Sequence, residues 1–217
     1  MVSLFALLST ASVERIVLDI LHELDLVVRE RGTSLNLRGK GLDELPEEIG
    51  VLDPVAEIDL SGNALRKLPW SFSLLGQLRV LNLSGNKLTA LPEEVCGLTE
   101  LVSLRAGWNA IKEISPAISG LIHLEKLELC FNKLERLRHD LFELPALRWL
   151  DVSDNCVKSL HPNVGNLREL EHLVVSHIRS RSCQTRCVRY RSSGSSIWVM
   201  RSSILASRRL SASEASQ

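Results

Sequence analysis

The chain has 217 residues, of which 45% are hydrophobic and 24% are charged, a composition that excludes an intrinsically disordered protein. Its net charge is zero at pH 7, but residues 1–177 contain 18 Lys plus Arg and 25 Asp plus Glu, whereas residues 178–217 contain eight Arg and one acid. These opposite charges indicate a boundary near residue 177.

Residues 1–31 are predicted to form an N-terminal segment and a capping helix. Between residues 12 and 30, apolar side chains recur every three or four positions, which is the period of a helix with one buried face. These positions are Val13, Ile16, Val17, Ile20, Leu24 and Val27. We expect the helix to cover the first coil of the structure that follows. The alternative is a membrane-surface or partner helix, but its polar side is too acidic to suit anionic lipid. A secretory signal in residues 1–11 would lack the basic residue that should precede its apolar run.

Residues 32–177 repeat with a period of 23 residues. Asparagine occupies one column of the repeat five times without a slip, as Asn63, Asn86, Asn109, Asn132 and Asn155. Apolar residues fill the other columns, one of which contains Leu35, Ile58, Leu81, Leu104, Leu127, Leu150 and Leu173. A fixed period of this length predicts a solenoid in which each coil buries its apolar face against its neighbours.

Each coil is predicted to contain a short strand. Because side chains alternate along a strand, Leu81 and Leu83 should point into the core while Asn82 points outward. Where the chain turns after the strand, inward-facing backbone groups need hydrogen-bond partners, and an Asn side chain offers both donors and an acceptor. We therefore expect the asparagine column to form a structural ladder.

Together the columns read LxxLxLxxNxLxxLPxxIxxL, and the chain resembles the leucine-rich repeat family over residues 32–177, with about six coils and a truncated last one. The resemblance implies an α/β solenoid with a curved parallel β-sheet on its concave face and short helices or turns on its convex face. The segments "LPEEIG" (45–50) and "LPEEVCG" (91–97) resemble the intracellular LPxxI type found in Ras-group-related scaffold proteins and ROCO GTPases. Later coils depart from it, with Ser115, Arg138 and His161 at the proline position.

Residues 178–217 break the repeat. Ile178 occupies the position of the next ladder asparagine, and the segment contains twelve Ser and eight Arg but no Lys. We predict that this tail is disordered or an artefact of the gene model. The alternatives are contact with RNA through Arg and Ser, and folding back onto the acidic array. An unstructured tail would leave Leu170, Leu173 and Val175 uncovered, which predicts self-association through the last coil.

The sequence contains no motif of an active site, neither a phosphate-binding loop nor a nucleophile elbow nor a zinc-protease helix. The five cysteines are not spaced like a disulfide framework or a zinc site, and we expect a reducing, cytoplasmic compartment. No apolar run approaches the roughly 20 residues of a membrane-spanning helix. We therefore expect no catalytic residue, cofactor, metal or membrane span.

The outward strand positions predict one continuous concave surface for binding a partner. The candidate contact residues are Glu57, Asp59, Asn82, Arg105, Trp108, Lys126, Glu128, Phe131, Trp149, Asp151 and Asp154. Large aromatic residues beside an arginine are typical of interaction hot spots. The alternatives are that Arg105 and Glu128 form only a cross-strand pair, that Lys126 covers an aromatic ring, and that Trp108 and Phe131 belong to the core.

The sequence therefore predicts a non-catalytic protein–protein interaction scaffold, with a protein rather than a nucleic acid as its partner. The resemblance implies small-GTPase or other intracellular signalling as its setting. A second hypothesis stays open, in which the chain is a regulatory leucine-rich repeat fragment of a larger enzyme, such as a ROCO GTPase, a kinase or a ubiquitin ligase, whose catalytic part is missing.

Overall fold

The computed structural model describes residues 32–52, 55–158, 162–175, 188–192 and 195–199, so the predicted capping helix lies outside the described residues. Within these ranges nine strands form one sheet, with β1 to β7 in chain order followed by β9 and then β8. The strands are β1 (Ser34–Asn36), β2 (Glu57–Asp59), β3 (Val80–Asn82), β4 (Ser103–Arg105), β5 (Lys126–Glu128), β6 (Trp149–Asp151), β7 (His172–Val175), β8 (Val188–Ser192) and β9 (Ser195–Val199).

The register of the parallel strands equals the sequence period. Ile58 pairs with Leu81, and Leu81 pairs with Leu104, so residues 23 apart stack directly on one another. These middle residues of the strands are fully buried, while the residues on either side of them are half-buried or exposed. Each column of the repeat is therefore a ladder of contacts between strands that lie roughly 4.8 Å apart.

Short helices form the other side of each coil, as the proline pattern predicts. They are the 3₁₀ helices Glu47–Val51, Trp70–Leu74, Pro116–Gly120, His139–Glu143 and Pro162–Asn166, and the α-helix α1 (Glu93–Cys96). Pro92 precedes α1 with extended backbone, and Ser115 replaces this proline with a side-chain cap on the amide of Ala117 (3.3 Å). Among the described residues no helix exceeds five residues, and none could cross a membrane.

The core lies between the sheet and the helices as one continuous cluster from Leu35 to Val175. Six apolar columns of the repeat fill it. A seventh column, which lies just before each strand, contains Val55, Leu78, Leu101, Leu124, Leu147 and Leu170. Since each fully buried Leu contributes roughly 1.5–3 kcal/mol, neighbouring coils stabilise one another through these columns.

The asparagine column forms a hydrogen-bonded ladder between coils. Asn132 Oδ1 accepts from the amide of Ile111 (2.9 Å), and its Nδ2 donates to the carbonyls of Ala106 (2.9 Å) and Leu129 (3.0 Å). Two of these groups belong to the preceding coil and one belongs to its own. The same pattern recurs at Asn63, Asn86, Asn109 and Asn155. Each asparagine thus satisfies buried backbone groups of two coils.

The end of the array differs from the sequence prediction. β9 pairs antiparallel with β7 through Val174 and Val175, and β8 pairs with β9. Leu173 and Val175 are 1% exposed and Leu170 is 7% exposed. The expectation that these side chains are uncovered is wrong, because the chain continues the sheet beyond β7. The origin of residues 178–217 and self-association stay predictions.

Replacing Asn132 by Ala tests the ladder. The variant leaves the buried amide of Ile111 without its partner and removes three further bonds, so we expect the free energy of unfolding to fall by about 2–4 kcal/mol. The control is Asn36→Ala, because Asn36 is exposed and its side chain accepts a hydrogen bond from the nearby amide of Arg38 (3.0 Å) rather than from another coil of the described array. We expect it to change stability by less than about 1 kcal/mol. Equal effects of the two substitutions in urea denaturation would contradict the ladder.

Candidate functional site

The candidate site lies on the outer surface of the sheet. We call the surface formed by the first and third residues of β1 to β7 the sheet face. Three adjacent strands, β4, β5 and β6, bring Arg105, Lys126, Glu128, Trp149 and Asp151 together there. Parallel register places Arg105 beside Glu128, and Lys126 beside Trp149.

One carboxylate joins the two basic side chains of this region. Glu128 Oε1 lies 2.7 Å from Lys126 Nζ, and Glu128 Oε2 lies 3.5 Å from Arg105 Nε. Lys126 Nζ also lies 5.4 Å from the ring centroid of Trp149, within the range of a cation–π contact. The two contacts that the sequence offered, between Arg105 and Glu128 and between Lys126 and an aromatic ring, therefore both occur. Because these side chains are partly exposed, the pairs contribute little to stability and their charge remains accessible.

Trp149 is half-buried on the sheet face. Its ring lies 4.7 Å from the ring of His172 at 42°. Its indole Nε1 is buried and makes no hydrogen bond within the described part of the chain. A buried donor without a partner costs roughly 1–3 kcal/mol, so this position is not optimal for stability alone.

Two aromatic side chains form an exposed step beside the sheet face, and we call Trp108 and Phe131 the aromatic ledge. Their rings stack with centroids 3.9 Å apart and planes 14° apart. Trp108 is 61% exposed and Phe131 is 41% exposed, so both lie on the surface and not in the core. Asp154 occupies the equivalent position in the next coil.

The ledge residues adopt a backbone conformation that their side chains disfavour. Trp108, Phe131 and Asp154 have φ of 57°, 54° and 52°, whereas the same column of the earlier coils contains Gly39, Gly62 and Gly85 with φ of 65°, 69° and 68°. The left-handed turn lets the amides of the three glycines, Trp108 and Phe131 donate to the next coil, as Gly85 does to Gly107 (2.9 Å) and Trp108 to Cys130 (2.9 Å). The scaffold therefore dictates the turn whichever residue occupies it.

The two aromatic residues cost the scaffold stability. A non-glycine residue in the left-handed region costs roughly 1–2 kcal/mol, which for Trp108 and Phe131 adds up to more than the roughly 0.5–1.5 kcal/mol that a stacked aromatic pair contributes. Asp154 is less strained, because Asp tolerates this region better than aromatic residues do. The stabilisation from stacking is therefore too small to explain why Trp108 and Phe131 occupy these positions.

The remaining predicted contact residues lie on other coils or also cap turns. Glu57, Asp59 and Asn82 belong to β2 and β3, one or two coils before the aromatic residues. Asp59 Oδ1 accepts from the amide of Ser61 (2.8 Å). Asp151 Oδ1 accepts from both the amide (2.9 Å) and the hydroxyl (2.6 Å) of Ser153. These carboxylates thus stabilise their own turns besides facing outward.

Cys130 was not selected from the sequence, although it lies beside Phe131. Burial, followed by the negative charges of Asp151, Glu128 and Asp154, raises the pKa of its thiol to about 11. The thiol is therefore protonated at neutral pH and is a poor nucleophile and metal ligand. Among the described residues no group of His, Cys, Asp and Glu side chains is arranged to hold a metal ion.

Comparison with known families and proteins agrees with the repeat. A family model described as leucine rich repeat matches residues 33–88, 53–111 and 122–177, which together make up more than half of the chain. No curated protein matches the chain significantly in sequence.

Several solved structures have a similar fold. A leucine-rich repeat protein of Leptospira interrogans is 25% identical with a TM-score of 0.59, over 71% of this chain and 47% of that one. The leucine-rich repeat domain of the type III effector XopL is 24% identical with a TM-score of 0.65, over 74% and 57%. The ectodomain of the Arabidopsis thaliana receptor kinase GASSHO1/SCHENGEN3, in complex with CASPARIAN STRIP INTEGRITY FACTOR 2, is 30% identical with a TM-score of 0.56, over 65% and 17%. The chain thus spans from 17% to 57% of these solved chains.

The cost of a side chain at the left-handed position is measurable at Gly85. A Cβ added there meets only the backbone of Gly62 at 3.5 Å, an ordinary contact, so Gly85→Ala introduces backbone strain without a steric clash. We expect it to lower the free energy of unfolding by about 1–2 kcal/mol. The control Gly76→Ala lies outside the positive-φ positions and is exposed, and should change stability by less than about 0.5 kcal/mol. If the denaturation curves of the two variants coincide, a side chain at the left-handed position is not strained, and the interpretation is wrong.

Proposed function

The chain belongs to the leucine-rich repeat family, and on that premise we propose that it is a non-catalytic scaffold that binds a protein partner on the sheet face of β4, β5 and β6 together with the aromatic ledge. The observation that carries the proposal is that features unfavourable to stability gather there. They are the left-handed Trp108 and Phe131 and the unbonded indole of Trp149. Strain of this kind concentrates at binding sites, where the surrounding structure enforces it.

The composition of the region supports a protein partner. Trp and Arg are the residues most enriched in binding hot spots, and both are exposed here as Trp108 and Arg105. Arg105, Lys126 and Glu128 bring charges of both signs to the sheet face that contains Trp149, which favours one orientation of a partner over others. Similar solved structures include the plant peptide hormone receptor RGFR1 in complex with RGF2 (30% identity, TM-score 0.54, over 64% of this chain and 24% of that one).

The setting that we propose is the cytoplasm, in signalling by a small GTPase. The support is the LPxxI-type motif of the early coils, at Leu45 to Ile49 and, with Val in the last place, Leu91 to Val95. Within the described residues, Cys96, Cys130 and Cys156 form no disulfide, as is usual for proteins of a reducing compartment. Identification of the captured partner tests this setting. A secreted peptide or an extracellular domain as the partner would contradict it.

A second candidate is that the array is the regulatory part of a larger enzyme. The observation in its favour is the abrupt end of the repeat, where Ile178 occupies the ladder position and the composition changes to Ser and Arg. The genomic sequence that follows the codon of His177 distinguishes the two candidates. A GTPase, kinase or ligase domain in frame there supports the second candidate, and a stop codon soon after the last coil supports the first.

Substitutions on the sheet face test the proposed surface. Trp149→Ala and Arg105→Ala should each weaken binding of a purified partner by about tenfold or more, because truncating a hot-spot residue typically costs more than about 1–2 kcal/mol. The matched control is Trp70→Ala, since Trp70 is 65% exposed but lies on the helical side of its coil. Partners are first captured from lysate with the full chain, and their dissociation constants are then measured with purified proteins. Loss of binding in Trp70→Ala, with Trp149→Ala and Arg105→Ala unaffected, would contradict the proposal.

A further inference from the structure

We propose that a groove on one flank of the array binds an acidic polypeptide segment. In each coil the chain runs from the ladder position to the short helix, and we call these connecting segments the flank. They are residues 40–46, 63–69, 86–92, 109–115, 132–138 and 155–158. The flank is separate from the sheet face, so the inference adds a second surface to the proposed function and does not depend on it.

The flank concentrates the positive charge of the array. Residues 32–177 contain 15 Lys plus Arg and 20 Asp plus Glu, and the flank contains nine of these bases but only four of the acids. The flank therefore has a net charge of +5, whereas the rest of the array has −10. A charge separation of this size attracts a partner of negative charge to one side of the molecule.

A groove of about 500 Å³ lies in the flank of the fourth to sixth coils. Lys112, Arg136 and Lys158 line it, and all three are exposed and form no ion pair within the described residues. Arg138 also lines the groove, but its Nε donates to Asp140 (3.0 Å), so its charge is already balanced. Three cationic side chains are therefore open to a ligand.

The other residues that line the groove select the class of ligand. Glu113 and Glu135 would repel the continuous phosphate backbone of a nucleic acid, whereas their carboxylates can accept hydrogen bonds from the amides of a polypeptide. Within the described lining no aromatic residue is present on which bases could stack. Ile114 is only 3% exposed, so it cannot insert into a membrane. Acidic side chains of a polypeptide, which contact the three bases one by one, fit this lining best.

The bases of the groove are spaced for an extended segment. Lys112 and Lys158 occupy equivalent positions two coils apart, and backbone hydrogen bonds such as that from Lys133 to Ile111 (2.8 Å) join neighbouring coils along the flank. At roughly 4.8 Å for each coil, the backbones of the two lysines lie roughly 10 Å apart. In the polyproline II conformation, side chains three residues apart lie on one side of the chain and roughly 9 Å apart. Acidic side chains at this spacing can therefore reach both lysines.

Fluorescence polarisation with the full chain tests the inference. The probe is a labelled twelve-residue peptide of repeated Glu-Pro-Pro, and the same peptide with Gln in place of Glu is its neutral counterpart. We expect the acidic peptide to bind and the neutral peptide not to bind. The variant Lys112→Gln/Arg136→Gln/Lys158→Gln should weaken binding by about tenfold or more, because it removes three ion pairs with the peptide.

The matched control is Arg38→Gln/Arg79→Gln/Arg168→Gln. These arginines are exposed and lie outside the flank, and the control lowers the net charge by the same amount as the groove variant. It should bind the acidic peptide within about twofold of the natural chain, since it leaves the groove intact. Glu113→Gln/Glu135→Gln should strengthen binding by about threefold, because it removes two carboxylates that repel the peptide and keeps their hydrogen-bond acceptors.

Several outcomes would overturn the inference. Equal binding of the acidic and neutral peptides would do so, as would equal weakening by the groove variant and its matched control. Single-stranded DNA or vesicles of phosphatidylserine that bind more tightly than the peptide, and lose this binding in the groove variant, would assign the groove to another class of partner. Loss of peptide binding in Arg105→Gln, with the groove variant unaffected, would place the acidic segment on the sheet face and leave the proposed function intact.

Discussion

The hydrogen bonds of the ladder asparagines are the interaction on which the array depends. Every coil turns out of its strand above an apolar core, and the turn leaves amides and carbonyls that water cannot reach. Asn132 and its equivalents satisfy these groups in two coils at once. The same turn requires the residue before each asparagine to be left-handed, from Gly62 before Asn63 to Asp154 before Asn155. The ladder therefore fixes a left-handed position before each asparagine, and any residue other than glycine is strained there.

This constraint explains why the residues that replace glycine at the left-handed position are informative. In the first three coils glycine meets the requirement at no steric cost. In the next two coils Trp108 and Phe131 meet it at a cost of roughly 1–2 kcal/mol each, and they expose large aromatic surface beside Arg105 and Glu128. Residues that are unfavourable for their local backbone conformation, and that bring no compensating gain in stability, are expected at functional sites. The partner-binding proposal follows from this departure.

The period of 23 residues was sufficient to predict the strands, the ladder and the core, because parallel register repeats the same contact in every coil. The pattern left two places open for Trp108 and Phe131, the concave surface or the core, and the structure places both on the surface. Trp108 and Phe131 each directly precede a ladder asparagine and follow a core-facing residue by two positions, and their left-handed backbone directs the side chains outward. The glycines of the same column were the available signal.

The end of the array was mispredicted for a related reason. The expectation that Leu173 and Val175 are uncovered assumed that no strand pairs with β7 once the 23-residue repeat ends. β9 pairs antiparallel with β7, and an antiparallel strand repeats no contact at 23 residues. The subfamily and the partner likewise depend on few residues, since the columns that build the fold are shared by every coil.

The free energy of unfolding of the double variant Trp108→Gly/Phe131→Gly tests the central claim most directly. If the aromatic ledge is retained for binding, the relief of strain offsets the lost stack and the added chain entropy of glycine, and the variant is as stable as the natural chain within about 1 kcal/mol. If the two rings instead stabilise the scaffold as packed aromatic residues do, the variant loses more than about 3 kcal/mol. That loss would contradict the account.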